Sequence, residues 1–441
     1  MKYYILTYGC QMNEADSSLM AGLLQAAGWE QCLSPEAADL IILNTCSVRE
    51  KPEQKAYSRL GQLRQWKRSR PHALLAVVGC MAQREGEQLL RRAPHVDLIL
   101  GTHGFHHIAE LVARSRAAES PIIELGLAQD PSAARCRPEL NQQPAPLCAF
   151  VPIIRGCSNF CSYCIVPHVR GPESSRPYDE IKGEVQSLVS RGAREITLLG
   201  QNVLAYGRDL PDELTFDHLL QRLSAIAGLW RIRFTTCHPR DVTPGLIAAM
   251  AELSPVCEHI HLPLQAGADR LLQQMNRGYT TSQYLAVVSE LRSRLPGLAI
   301  TTDIMVGFPG ETEQQFEESL RLYERLRFDA AFTFAYSPRP GTAATTMEDQ
   351  LPRETRLARL QKLIALQNRI TLEHNQAGVG EELEVLVEGP AQRGQGLLVG
   401  RARNNKHVVF PGAPSLHGSL AKVAITEGHL WGFRAEPSLP S

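Results

Sequence analysis

Short runs of unbroken apolar residues, each followed by a stretch with helical spacing, recur from the N-terminus to about residue 345. This alternation restricts the chain to α/β folds. Tyr4-Ile5-Leu6-Thr7-Tyr8, Leu40–Leu43, Leu74–Val78 and Val96–Leu100 form the first set. A run without polar alternation is a strand buried on both faces, which means a parallel sheet covered by helices. Residues 1–125 are therefore expected to form a Rossmann- or flavodoxin-like parallel-sheet domain. Its helices are expected to begin near Asn13 or Asp16, around Pro52, and over Glu85 to Arg92. Cys10, Cys46 and Cys80 each fall just past the carboxyl end of a run. Ligands gather at that edge of a parallel sheet, so three thiols far apart in sequence are expected to converge.

Residues 149–375 carry six further runs: Ala149–Ile154, Glu195–Leu199, Ile232–Thr236, Ile260–Leu264, Ile300–Val306 and Ala331–Tyr336. Six βα units predict a partial (β/α)6 barrel, with its chemistry at the carboxyl ends of the strands. The turn Gly200-Gln201-Asn202, His238-Pro239, Gln265, Gly307 and Ser337-Pro338-Arg339 fall there. Residues 126–148 lose periodicity, gather prolines and read as a linker. A helix is expected over Arg353 to Glu373. Residues 376–441 then change class, with alternating runs at Leu383–Val387, Leu397–Val399, His407–Phe410, Ala421–Ile425 and Leu430–Arg434. That pattern predicts a small five-stranded all-β barrel of a kind that often binds nucleic acid.

At 441 residues the chain exceeds one ordinary core. Lys+Arg and Asp+Glu both number 46, so no global field draws it to a polyanion. No apolar run approaches the ~20 residues of a membrane span. The N-terminus leaves no room for a signal-peptide core, so a cytoplasmic protein without membrane contact is expected. The 11 cysteines then suggest metal or catalysis rather than disulfides. Cys32, Cys136, Cys148, Cys237 and Cys257 fit no pattern and read as small buried hydrophobes. Cys157, Cys161 and Cys164, by contrast, form a C-x₃-C-x₂-C run directly behind a strand. Three thiolates on one loop can hold three irons of a [4Fe–4S] cube and leave the fourth open. An open iron can chelate the amino and carboxylate groups of S-adenosylmethionine. Zinc would want a fourth ligand, and the nearest candidate, His168, does not stand at finger spacing.

The chain resembles the radical S-adenosylmethionine superfamily, and more closely its methylthiotransferase branch, over essentially its whole length. The residues that carry this are Thr7-Tyr8-Gly9-Cys10-Gln11-Met12-Asn13, Leu43-Asn44-Thr45-Cys46-Ser47-Val48-Arg49, Val78-Gly79-Cys80 and the Cys157–Cys164 run. Leu199-Gly200-Gln201-Asn202-Val203, His261-Leu262-Pro263-Leu264-Gln265 and Val306-Gly307-Phe308-Pro309-Gly310-Glu311-Thr312 add to it. The resemblance implies an N-terminal three-cysteine domain, a radical domain and a C-terminal TRAM domain. It also implies that Cys10, Cys46 and Cys80 hold an auxiliary [4Fe–4S] cluster carrying the sulfur to be inserted. The Gly-Cys-Gln-Met-Asn form with Asp16-Ser17-Ser18 resembles the MiaB type, which acts on N6-isopentenyladenosine beside the anticodon of tRNA. The types acting on a ribosomal-protein aspartate or on threonylcarbamoyladenosine tend to read Gly-Cys-Pro-Lys-Asn or Gly-Cys-Lys-Val-Asn. One departure is Arg155, where some members of the MiaB type carry an acidic or other polar residue. A cation there would raise the cluster's potential slightly.

For this type the resemblance implies two S-adenosylmethionine per turnover, one as methyl donor and one as source of a 5′-deoxyadenosyl radical that activates C2 of the adenine. A low-potential electron donor such as flavodoxin or ferredoxin is implied as well. On strand-end geometry, Gly200, Gln201, Asn202 and Gln265 are placed near S-adenosylmethionine. Arg49 to Arg70 holds eight Lys/Arg against two Glu, a candidate footprint for tRNA phosphates. In the tail, Arg401, Arg403 and Lys406 are candidate RNA contacts, partly offset by Glu381, Glu382, Glu384 and Glu388. Methylthiolation of a ribosomal-protein side chain or of threonylcarbamoyladenosine tRNA remains open, as does a metal-bearing RNA-binding protein without catalysis.

Overall fold

The computed structural model describes residues 1–47, 50–126, 144–211 and 214–438. Most of the expected linker, Cys136 and Arg49 lie outside the described residues. The N-terminal sheet comprises β1 (Lys2–Tyr8), β2 (Glu30–Gln31), β3 (Leu40–Thr45), β4 (Leu74–Gly79), β5 (Leu98–Leu100) and β6 (Ile122–Glu124). All pairings are parallel, in the order β2-β1-β3-β4-β5-β6. Ile41, Leu43, Leu75 and Val77 pack on one face, and Leu40, Ile42, Leu74, Ala76 and Val78 on the other. Coverage on both faces is why these strands are apolar at every position. The chain winds outward in both directions from β1 and β3, so the switch point lies between their carboxyl ends. Cys10 and Cys46 stand there.

Helix α1 spans Gln11–Ala26, starting earlier than expected because the Cys10 carbonyl already accepts from the Asn13 and Glu14 amides at 2.9 and 3.2 Å. Helix α2 spans Glu50–Ser69. The helix expected over Glu85 to Arg92 is two short ones, α3 (Cys80–Glu85) and α4 (Glu87–Arg92). Gly86, at φ +52°, breaks them. Helix α5 covers Ile108–Ala117.

The central unit begins with β7 (Cys148–Pro152), then a hairpin of β8 (Ile154–Arg155) and β9 (Ser174–Ser175) around the cysteine loop and α6 (Val166–Arg170). Strands β10 (Glu195–Leu199), β11 (Arg231–Phe234), β12 (His259–His261), β13 (Ala299–Val306) and β14 (Ala330–Ala335) follow. They form two parallel three-stranded sheets, β11-β10-β7 and β12-β13-β14, joined by an Ile232–Val256 bridge. This is the expected partial barrel, except that β12 stops at His261. Ile196, Leu198, Ile232, Phe234, Ile260 and Ile300 pack outward into one large core. The alternate positions Glu195, Thr197, Arg231, Arg233, His259 and His261 are buried and polar.

A helix over Arg353–Ala377 leads to a closed barrel ordered β15-β16-β17-β19-β18. Its strands are β15 (Glu382–Pro390), β16 (Leu397–Ala402), β17 (His407–Pro411), β18 (Leu420–His429) and β19 (Gly432–Pro437). Val385, Val387, Phe410, Val423 and Phe433 fill it. Among the described residues no helix is long and apolar enough to cross a membrane.

Candidate active site

Around Cys10, the motif residues bolt three strand ends together. Asn13 Nδ2 donates to Asn44 Oδ1 at 3.0 Å, and Asn44 Nδ2 donates to the Asn13 carbonyl at 2.8 Å and to Ser17 Oγ at 3.0 Å. Thr45 Oγ1 donates to the Val78 carbonyl at 2.7 Å. Glycine is required beside two of the cysteines by space alone. A Cβ on Gly9 would stand 2.2 Å from Asn13 Oδ1, and one on Gly79 2.6 Å from both Asn44 Oδ1 and the Thr45 carbonyl. The Cys10 and Cys46 thiols share a hydrogen bond that holds Cys10 down at about 5, against burial and with help from the Arg170 charge. Burial pushes Cys80 up, and Arg170 Nε donates to its sulfur at 3.3 Å. Burial would also lower Arg170, but its neighbours Cys80, Asp16 and Cys10 more than offset that, so it stays cationic.

The second trio lies on the loop after β8. The Cys157 amide donates to the Gly171 carbonyl at 3.1 Å, and Asn159 Nδ2 to Cys157 Sγ at 3.4 Å. Arg277 Nη1 donates to Cys161 Sγ at 3.3 Å. Burial, reinforced by the Cys161 charge, pushes Cys164 to about 12, and burial also raises Cys157. Such a set resists becoming three thiolates unless a cation compensates, which is what a bound metal does. None of the described cysteines is in a disulfide. Among the described residues, no three His, Cys, Asp or Glu close in on a point as one ion requires. Two sets of three cysteine sulfurs are the donor chemistry an iron–sulfur cluster takes.

The other expected site residues divide. Gly200 lies against Ile154, where a Cβ would stand 2.4 Å from Cγ2. The Gln201 Oε1 atom is buried with no hydrogen-bond partner, an acceptor left over for a ligand. Asn202 is committed internally: Nδ2 donates to Asp241 Oδ2 at 2.6 Å, and Oδ1 accepts from the His238 amide at 3.1 Å. Gln265 holds φ +69° while its backbone bridges to Ile304. Arg401 pairs with Glu388, Arg403 with Glu258 and Lys406 with Asp329, at 2.8, 2.8 and 3.3 Å. The first two are spent on stitching the tail together and to the central unit; Lys406 borders a cavity.

That cavity, about 570 Å³, is walled by all three units. Cys10, Gln11 and Glu14 come from the first; Thr236, His259, His261, Asp303 and Phe332 from the second; Asn404 to His407 and Trp431 from the third. Phe332 and Trp431 are 54% and 49% exposed, large values for aromatics in such a place. His429 stacks on Trp431 with centroids 5.2 Å apart. Thr236, a β-branched residue at φ +67°, is a strained position of the kind that collects at functional sites. Arg170 and Arg277 escaped sequence reasoning. Arg170 had one signal, its place six residues past Cys164, whereas Arg277 had none. Phe332 and Trp431 were read only as strand residues.

Two cysteine trios at strand ends, a half-open βα barrel and a closed β barrel stand in the order that the resemblance to radical S-adenosylmethionine methylthiotransferases implies. Comparison with known proteins bears on the particular member. Residues 2–101 match Uncharacterized protein family UPF0004, residues 151–323 the Radical SAM superfamily and residues 376–437 the TRAM domain. A tRNA-2-methylthio-N(6)-dimethylallyladenosine synthase of Moorella thermoacetica is 49% identical over 436 residues, 98% of each chain. Its counterpart in Geobacter metallireducens is 51% identical over 429 residues, 97% of this chain and 96% of that one. The chain belongs to the tRNA-2-methylthio-N(6)-dimethylallyladenosine synthase family. Among solved structures, the radical S-adenosylmethionine methyltransferase TsrM from Kitasatospora setae shares the fold, with TM-score 0.56 and 13% identity over 78% of this chain and 75% of that one. The cobalamin-dependent radical enzyme OxsB does so at TM-score 0.51 and 11% identity, over 83% of this chain and 56% of that one.

Proposed function

We infer that this protein is a tRNA methylthiotransferase converting N6-isopentenyladenosine beside the anticodon to its 2-methylthio derivative. The observation that carries the reading is the cavity that opens Cys10 to both the central barrel and the tail barrel. Cys10, Cys46 and Cys80 would hold one [4Fe–4S] cluster, and Cys157, Cys161 and Cys164 the other, across units spanning 1–125, 149–375 and 376–441. When bound, these clusters and S-adenosylmethionine supply the sulfur, the methyl group and the radical chemistry. The chain's own residues do the rest. Gln201 offers its spare acceptor to S-adenosylmethionine beside the second trio. Phe332 and Trp431 present ring faces on which bases stack, the usual way RNA is read. His259 and His261 share the Thr301 hydroxyl, each at 3.0 Å, which fixes their rings against the cavity. Lys406, paired with Asp329, borders the cavity on the tail side, with a low-potential donor such as flavodoxin or ferredoxin providing electrons.

The test is an anaerobic assay with reconstituted protein, S-adenosylmethionine, a reductant and isopentenylated tRNA, read by mass spectrometry of nucleosides. The native protein is expected to yield methylthio-adenosine and 5′-deoxyadenosine, and Cys10→Ala no methylthio product. Formation of 5′-deoxyadenosine without modified tRNA would point to a different acceptor, such as a protein side chain.

A further inference from the structure

The loop bearing Cys157, Cys161 and Cys164 has a narrow neck, and both sides of that neck are gripped by the N-terminal domain. Arg155, the last residue of β8, enters the loop, and Arg170, the last residue of α6, leaves it. The two sides are in direct contact: the Cys157 amide donates to the Gly171 carbonyl, and a Cβ on Gly156 would stand 1.9 Å from the Pro172 carbonyl oxygen. Between Arg155 and Arg170 lies Asp16 of α1, whose side chain is 0% exposed. Arg170 Nη2 donates to Asp16 Oδ2 at 2.8 Å. Arg155 Nη1 stands 2.9 Å from Asp16 Oδ1, held by charge rather than by an aligned hydrogen bond. One carboxylate thus joins the entry and the exit of the loop.

The docking continues around this point. Arg170 Nε reaches Cys80 Sγ at 3.3 Å, Thr102 Oγ1 donates to the Val169 carbonyl at 2.6 Å, and Cys80 packs with Ile165 and Val169. Asp16 itself sits six residues past Cys10 on the helix that Cys10 begins, and Arg170 six residues past Cys164. Each partner is therefore tied by a short, ordered segment to one of the two cysteine trios. A buried carboxylate facing two guanidiniums is costly to break: losing either partner leaves a desolvated charge unpaired. It is also directional, because Arg presents a planar fork that Lys cannot reproduce. The Arg155 charge, which the sequence placed beside the cluster, is spent on Asp16.

We propose that Asp16, Arg155 and Arg170 form a clamp that sets the position of the radical-site loop relative to the three-cysteine site, making them positioning residues for transfer between the two. The proposal rests on the ligand roles given to the six cysteines above. The hydrogen taken from C2 of the adenine would end in 5′-deoxyadenosine, and the carbon left behind would have to meet a sulfur held at the other site with little positional freedom; small misplacements are expensive in such steps. Loosening the clamp should leave both sites built while separating radical formation from product formation.

The experiment uses the full chain reconstituted with iron and sulfide, as wild type, Asp16→Asn, Arg170→Lys, Arg155→Gln and the Asp16→Asn/Arg155→Gln double variant. Iron is counted. Both clusters are then reduced, and their magnetic interaction is read by electron paramagnetic resonance, since dipolar coupling falls with the cube of distance. The ratio of 5′-deoxyadenosine to methylthio-adenosine is measured in parallel. Asp16→Asn and Arg170→Lys are expected to keep about eight irons per chain, to lose or broaden the inter-cluster coupling, and to raise that ratio roughly tenfold. The double variant should be no worse than Asp16→Asn. Unchanged coupling and ratio in Asp16→Asn would overturn the clamp, as would loss of only the auxiliary cluster's iron, which would make Asp16 part of that site's wall. If Asp16→Asn does not fold, Arg155→Gln carries the same readouts, because its side chain is 15% exposed and less costly to replace. Failure of the ligand assignment would show separately, as wild type holding fewer than about eight irons.

Discussion

Arg233→Met should detach the tail barrel from the central unit, and the size of the effect follows from what the guanidinium touches. Arg233 Nε stands 2.9 Å from Glu195 Oε1, its Nη1 donates to the Arg403 carbonyl at 2.7 Å, and its Nη2 donates to the Ala402 carbonyl at 2.8 Å. Glu195 is only 2% exposed, so methionine would strand a buried carboxylate, at about 3–5 kcal/mol. Each lost hydrogen bond to a carbonyl of the tail adds about 1 kcal/mol. The total, roughly 5–7 kcal/mol, is comparable with the whole stability of many domains. Guanidinium denaturation of the iron-free protein, followed by far-ultraviolet circular dichroism and tryptophan fluorescence, should show an early separate transition for the tail. Glu195→Gln/Arg233→Met should recover the larger share, because no charge is then stranded. An Arg233→Met midpoint within about 1 kcal/mol of wild type, or a double variant no better than the single, would refute this reasoning.

Three further outcomes are expected. Burial, aided by the Arg233 charge, holds His259 down at about 3. Its ordinary value is about 6.5, so it supports the fold fully above that pH and progressively less as pH falls toward 3. His259→Gln should therefore remove about 2 kcal/mol of the destabilisation that wild type suffers between pH 7 and pH 5; equal acid sensitivity in both proteins would contradict it. Gly79→Ala forces a Cβ to 2.6 Å from the Thr45 carbonyl at a backbone φ of +94°. It should hold about four irons instead of eight, keeping the radical-site spectrum, and full iron content would count against the packing argument. Trp431→Ala should weaken tRNA binding about tenfold with unchanged iron, read by filter binding; unaltered affinity would remove Trp431 from the RNA surface.

Strand positions were readable because burial on both sides or on one leaves a period in the sequence. Glu195–Leu199 is the same in both readings, and β13 begins at Ala299, one residue before the expected Ile300. Strands β2 and β6 were not readable, because two or three residues carry no period. That Cys10, Cys46 and Cys80 each stand just past a strand end followed from the run pattern. Their supports did not, since Asn13 reaches Asn44 across 31 residues and Arg170 reaches Cys80 across 90. The tail cations show the same limit. Read as a charge pattern, Arg403 looked available to phosphate; in the fold it is bound to Glu258, 145 residues away. In α2, Lys67 pairs with Asp97 at 2.7 Å, while Lys51, Lys55, Arg64 and Arg68 stay exposed. Part of that footprint remains open to phosphate.

The central barrel divides its strands by parity. Odd positions such as Glu195, Arg233, His259 and His261 turn a buried polar side inward, while Ile196, Phe234 and Ile260 secure the outer layer. Ordinary barrels fill the same interior with branched aliphatics and draw cohesion from it. Here apolar cohesion comes from the outer layer, and the interior contributes through the Glu195–Arg233 pair and the Arg233 bonds to the tail instead. Inward substitutions outside the ion pairs can thus change what the shaft admits at little expense to the scaffold, whereas one methyl group removed outside is felt by the whole. A protein organised this way can be retuned towards a new acceptor by drift along alternate residues, without its architecture having to change first.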